Sequence, residues 1–557
     1  MEVNKIDLIK LQNAIDLIKK NKTNDAEDIL KELINVNSVK PDALTYLAIC
    51  KIKSNKKNEA IDYLKNAISI DPNHEFANLN LGLIYFDIKN YKESFKFIIN
   101  AYKKNNNNLI AIYHLGLINL ILNNLEESEK YFLKIIEKNK NDENALLNLA
   151  ILNDRRKNFE KSIEINKKII EINPNNINAN NNLGVLNHNN LKYDEAINYF
   201  KKCIKINDKF IPPYSNLGRV YSDLRMFEDA KNLFNKSIEI NNNDHVSKFE
   251  LSKIFLSTKE YHKGLEFYEY RKKITINKNI NILKNKFNSI EWNGQKLDNK
   301  IILILAEQGF GDIILFKRYI DVLFKFDQVI FLCNKKLNYI FKESKFKIVN
   351  KIEDVGHHDF YQHLLTLPKI YFEKENKFCK RINYLPNNDK NDLKWKLKLN
   401  KLKKIKIGLT WQGNKNFVGD SKRSIPLIKL DKIILNNNFD VISLQKDFGL
   451  EQINNNYKNK IYDFSSEIDL NDEAFKDTIS ILKNVDFLIT IESSIAQLAG
   501  TMGINTYLLL SYNPYWIWYS EQEKAKFYDT IKIYQQDKPG SWDNAINQLE
   551  KDLNKYY

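Results

Sequence analysis

Cysteine is scarce in this sequence. Four residues (Cys50, Cys203, Cys333 and Cys379) are spread over 557 positions with no CxxC pair. That spacing excludes a disulfide framework and a structural zinc site, and it suits a reducing compartment. The opening segment MEVNKIDLIK has no basic patch followed by an apolar stretch, and no run approaches the ~20 apolar residues of a membrane span. Secretion and membrane spanning are therefore not expected, and a cytoplasmic location is. Peripheral contact with a membrane stays open.

Also missing is a massed basic tract. The formal charge is +16, from 86 Lys and Arg against 70 Asp and Glu, but the lysines are dispersed. A basic balance suits nucleic acid, anionic lipid or phosphorylated ligands. It equally suits a composition in which Lys, Asn and Ile are abundant everywhere. With none of the common nucleic-acid motifs present, nucleic acid is not an expected partner. Hydrophobic residues at 43% and charged residues at 28% allow large cores rather than a disordered tail. At about 150 residues per domain the length predicts three or four domains.

What is present begins with a repeat. Small residues recur every 34 positions: Ala14, Ala48, Gly82, Gly116, Ala150, Gly184, Gly218 and Ser252. A second series keeps that period: Ala26, Ala60, Ser94, Ser128, Ser162, Ala196, Ala230 and Gly264. Bulky residues form a third, including Tyr63, Phe97, Tyr131, Tyr199 and Phe267. Small positions let two helices approach closely while the bulky one fills the gap to the next pair, so the period predicts an α-solenoid. Pro72 and Pro174 fall at repeat ends. The pattern resembles the tetratricopeptide repeat, about eight copies within residues 1–275.

Such arrays curl so that first helices line a concave face. Just before the small residue stand Asn80, Asn148, Asn182 and Asn216, with His114 and Glu250 in the same series. Carboxamides can pair with the backbone of an extended peptide, so these four asparagines are candidates for a peptide groove. The abundance of Asn throughout the chain offers a purely compositional account of the same series.

The grammar changes after a Lys- and Asn-rich connector, residues 276–299. IILILAEQGFGDIILFKRYI (301–320) reads as strand, glycine turn and helix, followed by the strand QVIFLC. Beyond residue 400 come KIKIGLTWQG, FDVISLQKD, VDFLITIESSIAQLAGTMG and NTYLLLS. This alternation predicts two α/β domains, residues 300–400 and 401–557, each a parallel sheet, facing one another across a cleft. The third glycine of a dinucleotide fingerprint is replaced by Ile314, and no GxxxxGK[ST] loop occurs.

Asp312 follows the glycine turn at a strand's carboxyl end. Gly309 and Gly311 are expected to allow the tight turn. The carboxylate there either caps its helix or takes a proton from an incoming hydroxyl. Glu492, Ser493 and Ser494 open the IAQLAGTMG helix, whose free N–H groups make an anion site. Lys422 and Arg423, in KRSIPL, are either solvated surface charge or cations beside the same cleft.

These three stretches together resemble the tetratricopeptide proteins with a heptosyltransferase-like (family 9-like) glycosyltransferase module, over about residues 290–545. The resemblance implies a GT-B fold of two Rossmann-like domains, an inverting mechanism, no metal or other cofactor, and a nucleotide-diphosphate sugar as co-substrate. Carried over, it makes Asp312 the general base. Lys422, Arg423 and the segment Glu492, Ser493, Ser494 and Gln497 become the donor-phosphate site, and Ser443, Gln445 and Lys446 border the nucleotide. The sequence departs from that family where Asp-Thr and a following His are usual, having Glu492, Ser493 and Gln497 instead. The implied function is sugar transfer to a protein or surface-glycan acceptor recruited by the repeats. The alternative is a non-catalytic scaffold with a vestigial module. His357, His358, Asp359 and His363 are weighed as a metal cluster against solvated loop residues, and Trp516 and Trp518 as stacking platforms against core.

Overall fold

The computed structural model describes residues 5–274, 288–380, 382–387, 389–417, 419–470, 472–519 and 525–556. It divides into two compact units, residues 1–183 and 184–557. The division falls inside the repeats rather than at residue 275, where the periodicity ends.

The first unit is all helical, from Lys5–Lys19 through Phe159–Ile172, and includes the start of helix Ile177–Asn189. Each repeat is an antiparallel pair, and the small residues do what their period predicts. A Cβ on Gly116 would stand 2.8 Å from the Phe132 ring, which is fully buried. Where the second small position is Ser, its hydroxyl is used. The Oγ of Ser94 donates to the Gly82 carbonyl and that of Ser128 to the Gly116 carbonyl, both at 2.8 Å. First helices start on a capping side chain at the same period: Asn108 accepts from the Ile110 and Ala111 N–H groups, Asp142 from Ala145, and Asn176 from Ala179.

The turn within each pair holds a left-handed residue that is never glycine. Asn21, Asn55, Lys89, Asn123 and Lys157 all have φ near +60°. The second unit continues the series with Leu191, Arg225 and Lys259.

In the second unit the helical pairs run to Tyr261–Tyr268 and a final turn, Arg271–Ile274. Two parallel sheets follow. The first has the order β1 (Ile290–Glu291), β5 (Phe360–His363), β2 (Ile302–Leu305), β3 (Val329–Leu332), β4 (Lys347–Val349). The second runs β11 (Ile531–Gln535), β10 (Thr506–Leu510), β9 (Phe487–Ile491), β6 (Ile405–Leu409), β7 (Phe439–Ser443), β8 (Ile461–Asp463). Every paired strand is parallel. β2 and β9 are buried along their whole length and are apolar but for Thr490, as a sheet covered on both faces requires.

Two expected boundaries shift. Residues 276–287 of the expected connector lie outside the described residues, but its end is structured, since β1 pairs with β5. Helix Asp389–Leu399 packs on helix Lys476–Leu482 of the later half, where the Trp395 indole N–H donates to Asp477. The repeats do not stop short of the sheets either. Leu256, Leu265 and Tyr268 share one continuous apolar core with Trp292, Ile302, Phe316, Leu488 and Trp516.

Candidate functional site

Strands β2 and β9 end on the same side of the second unit, and each feeds a helix. β2 leads through Glu307 and Gln308 to helix Phe310–Phe316, and β9 leads through Glu492 and Ser493 to helix Ser494–Met502. The left-handed position in the first turn is Gln308 (φ +64°), while Gly309 has φ −78°, so the glycine expected to make the turn is not the strained residue. Gly311 is needed for proximity. A Cβ there would lie 3.4 Å from the Ser494 Cα and 3.5 Å from the Gln497 Cγ. The two helix starts therefore nearly touch, which brings Asp312 and the Glu492–Ser493 turn together.

Asp312 retains some solvent exposure but is ringed by protein. Burial, and then the charges of Glu492 and Glu307, push its carboxyl up to about 7, against the pull of the Gly309 N–H and Arg271. The Gly309 contact means that Asp312 does reach back toward the start of its helix, as in a capping box. Glu492 is also pushed up by burial, opposed by Arg423 and by the Tyr515 N–H, which donates to its Oε2 at 3.2 Å. Ser493 begins the second helix with no side-chain cap, and its hydroxyl lies 3.4 Å from that of Thr490. Among the described residues no side chain caps the first N–H groups of that helix.

Other expected residues are engaged elsewhere. Lys422 makes an ion pair with Asp223, a repeat residue that also bonds His188 Nε2 at 2.6 Å. Lys422 thus faces the repeats rather than the Asp312–Ser493 turns, while Arg423 is the cation that acts on Glu492. Gln497 is buried and accepts at 2.7 Å from the Tyr528 hydroxyl, which takes an N–H from Arg318. Its carboxamide oxygen is engaged inside the protein rather than offered to a phosphate.

The three residues expected at a nucleotide are also occupied. Ser443 is fully buried and accepts from the Gln445 N–H. The Gln445 amide accepts from the Trp411 and Gln412 N–H groups and donates to the Gln412 and Phe448 carbonyls. Lys446 Nζ donates to the Ile468 and Asp469 carbonyls. These side chains knit loops together.

In the first unit the half-buried Asn80 turns back to the Phe76 carbonyl, and Asn148 to that of Asn144. Asn182 donates to Asn166. A carboxamide bonded within its own helix has given up one of its two peptide-binding donors. Asn216 lies in the second unit and is half-buried.

The histidines separate. His358 bonds Ser289 and the Gly356 carbonyl, while His363 Nδ1 lies 3.1 Å from Glu307. Among the described residues no group of three His, Cys, Asp or Glu side chains is gathered to hold a metal. Trp516 and Trp518 are buried core residues. A surface hollow lined by Lys345, Lys347 and His357 opens at the amino ends of β2 and β3, opposite to Asp312.

Sequence reasoning passed over the charges that surround Asp312. Glu307 is pushed up by burial but held down at about 2, because His363 and Arg271 favour its anion more strongly. Tyr268, at the end of helix Tyr261–Tyr268, shares a 2.7 Å hydrogen bond with Tyr515. Burial and then the Asp312 charge push the Tyr268 hydroxyl up. The only signal for Glu307 was its place two residues beyond a strand end.

Four segments match models of the tetratricopeptide repeat: residues 42–74, 110–142 and 211–244 in one, and 166–198 in another. The chain therefore contains tetratricopeptide repeats. Solved structures similar to it include a tetratricopeptide repeat protein from Parabacteroides merdae, 22% identical, covering 44% of this chain and 97% of that one, TM-score 0.37. Another is Pseudomonas aeruginosa pilF, 16% identical, covering 37% and 94%, TM-score 0.33. Yeast Tom70 is 18% identical over 48% and 60%, TM-score 0.33. No curated protein matches the chain. No helix among the described residues is long and apolar enough to cross a membrane.

Proposed function

We propose that this chain is an inverting, metal-independent glycosyltransferase of the GT-B fold, using a nucleotide-diphosphate sugar and an acceptor brought by the repeats. The observation that carries the reading is Asp312. A carboxyl poised near neutrality at the end of β2 stands opposite an uncapped helix start from the second sheet. A base works best when its pKa lies near the working pH.

In the reaction, Asp312 accepts the proton of an acceptor hydroxyl as its oxygen bonds to the anomeric carbon. The bond from that carbon to the diphosphate breaks, and the leaving group departs with the electron pair. The N–H groups that open helix Ser494–Met502, with Arg423, offset the charge on the departing diphosphate. The acceptor is a protein or surface glycan, and binding of a protein partner is the role that the repeats support by themselves.

The test is release of nucleoside diphosphate from a panel of sugar nucleotides, comparing the native chain with Asp312→Asn. A loss of at least about a hundredfold is expected, the lower end of a general base's contribution, and equal rates would remove Asp312 as the base. The native rate should also fall as pH drops below about 7, where the carboxyl is protonated.

A scaffold without catalysis is the second reading, favoured by the engagement of Lys422, Gln445 and Lys446 within the protein. Calorimetry with nucleoside diphosphates separates the two, since a scaffold gives no binding heat with any of them.

A further inference from the structure

We infer that Arg271, in the last turn of the repeat region, is a positioning residue of the Asp312 site: it holds Glu307 and thereby sets the charge that Asp312 faces. The inference deepens the transferase reading and takes its site from it.

Arg271 is buried, with 4% of its surface exposed, and its guanidinium is shared among groups from three places. Nε and Nη2 donate to Glu307 Oε1 at 3.2 and 2.7 Å. Nη2 also donates to the Thr366 hydroxyl at 2.9 Å, and Nη1 to Glu269 at 2.6 Å and the Tyr268 carbonyl at 3.1 Å. Both bonds to Glu307 converge on one oxygen, so what the guanidinium supplies there is chiefly a fixed, buried positive charge. The next residue, Lys272, extends the weld to Glu269 and, through Glu291, to β1.

Glu307 is the link to the site. It stands between β2 and the turn that presents Asp312, and its other oxygen faces His363 at the end of β5. Five groups therefore face Glu307 or Asp312 with charge or a proton: Arg271 and Tyr268 from the repeats, His363 from β5, Glu492 from beyond β9 and Tyr515 from beyond β10. Arg271 offsets the Glu307 charge, and Glu307 in turn repels an anionic Asp312. A solvated surface arginine would have no such route. The end of the repeats is thus built into the surroundings of Asp312.

The experiment follows the Asp312 carboxyl directly in the full chain, by infrared difference spectroscopy against Asp312→Asn across pH. Glu307→Gln removes a neighbouring anion and should lower the Asp312 titration midpoint by about half a pH unit or more. Arg271→Gln leaves Glu307 with His363 alone, removes the cation that favours the Asp312 anion, and should raise it. Arg271→Lys, which keeps the charge, should stay near the native midpoint, and the double change to Gln at both positions should return toward it.

Glu307→Gln leaves Arg271 its bonds to Glu269, Thr366 and the Tyr268 carbonyl, so at least this variant retains the local packing. An unshifted midpoint in folded Glu307→Gln, or a shift in Arg271→Lys equal to that in Arg271→Gln, overturns the inference. A native chain that turns over no sugar nucleotide would instead defeat the transferase reading, and the titration shifts would remain.

Discussion

Replacing Gly500 with alanine should destabilise the second unit, although alanine is the better helix former. Gly500 lies in helix Ser494–Met502, and an added Cβ would fall 2.6 Å from Tyr528 Cγ and 2.7 to 2.8 Å from the adjacent ring carbons. The methyl would press on the ring rather than on a flexible tip. Nor can the ring easily yield. Its hydroxyl is fixed by Arg318 at 2.9 Å and Gln497 at 2.7 Å, and Trp518 packs beside it with ring centres 5.9 Å apart.

Overpacking of this kind costs ~1–3 kcal/mol. Releasing the hydroxyl bonds instead would forfeit a similar amount, about 1–3 kcal/mol. Against either stands the helical advantage of alanine, about 1 kcal/mol. The net expectation is a loss of about 2 kcal/mol if overpacking and partial release both occur. Urea denaturation followed by tryptophan fluorescence reads the change.

The decisive comparison is made in a Tyr528→Ala background, where the clash is gone. There Gly500→Ala should turn stabilising by about 1 kcal/mol. The same sign and size in both backgrounds would refute the reasoning.

Asp312→Asn should be stabilising at pH 8 and neutral near pH 4, as measured by denaturation at both values. The folded state holds the Asp312 proton up to about pH 7 against an ordinary 3.8, so that contribution is complete below about pH 4 and lost as pH rises through 7. Lys422→Ala should cost about 2 kcal/mol by leaving the half-buried Asp223 carboxylate with His188 alone, and adding Asp223→Asn should recover at least half in a double-mutant cycle. In the first unit, Ser128→Ala should cost about 1 kcal/mol in urea through the lost bond to the Gly116 carbonyl. It should cost less than Ser128→Val, because alanine already occupies the equivalent positions 26, 60, 196 and 230.

The helical pairs were legible because their determinants are local and recurrent. Gly116 meets Phe132 only sixteen residues on, and each repeat poses the same steric problem. Their turns were not legible. A left-handed residue costs roughly 1–2 kcal/mol unless it is glycine, yet Asn, Lys, Leu and Arg hold that position, so composition carries no mark of it. The strands and the placement of Asp312 at the end of β2 followed from apolar runs and turn residues.

The fate of its partners did not, because burial and pairing are long-range. Lys422 finds Asp223 199 positions away. Lys446 finds carbonyls 22 and 23 positions on. Arg271 reads in sequence as one more cation before a basic connector, and only the fold shows it enclosed.

That the closing helices of the repeats share a core with both sheets gives the array a direction. Solenoids ordinarily lengthen or shorten by whole units at either tip, since each unit leans only on its neighbours. Here the carboxyl tip has no freedom of that kind. Excising the helix that carries Leu265 and Tyr268 would open the interior of the two-sheet region to water. A protein engineer wishing to exchange repeats should splice within the earlier helices and leave the final pair in place.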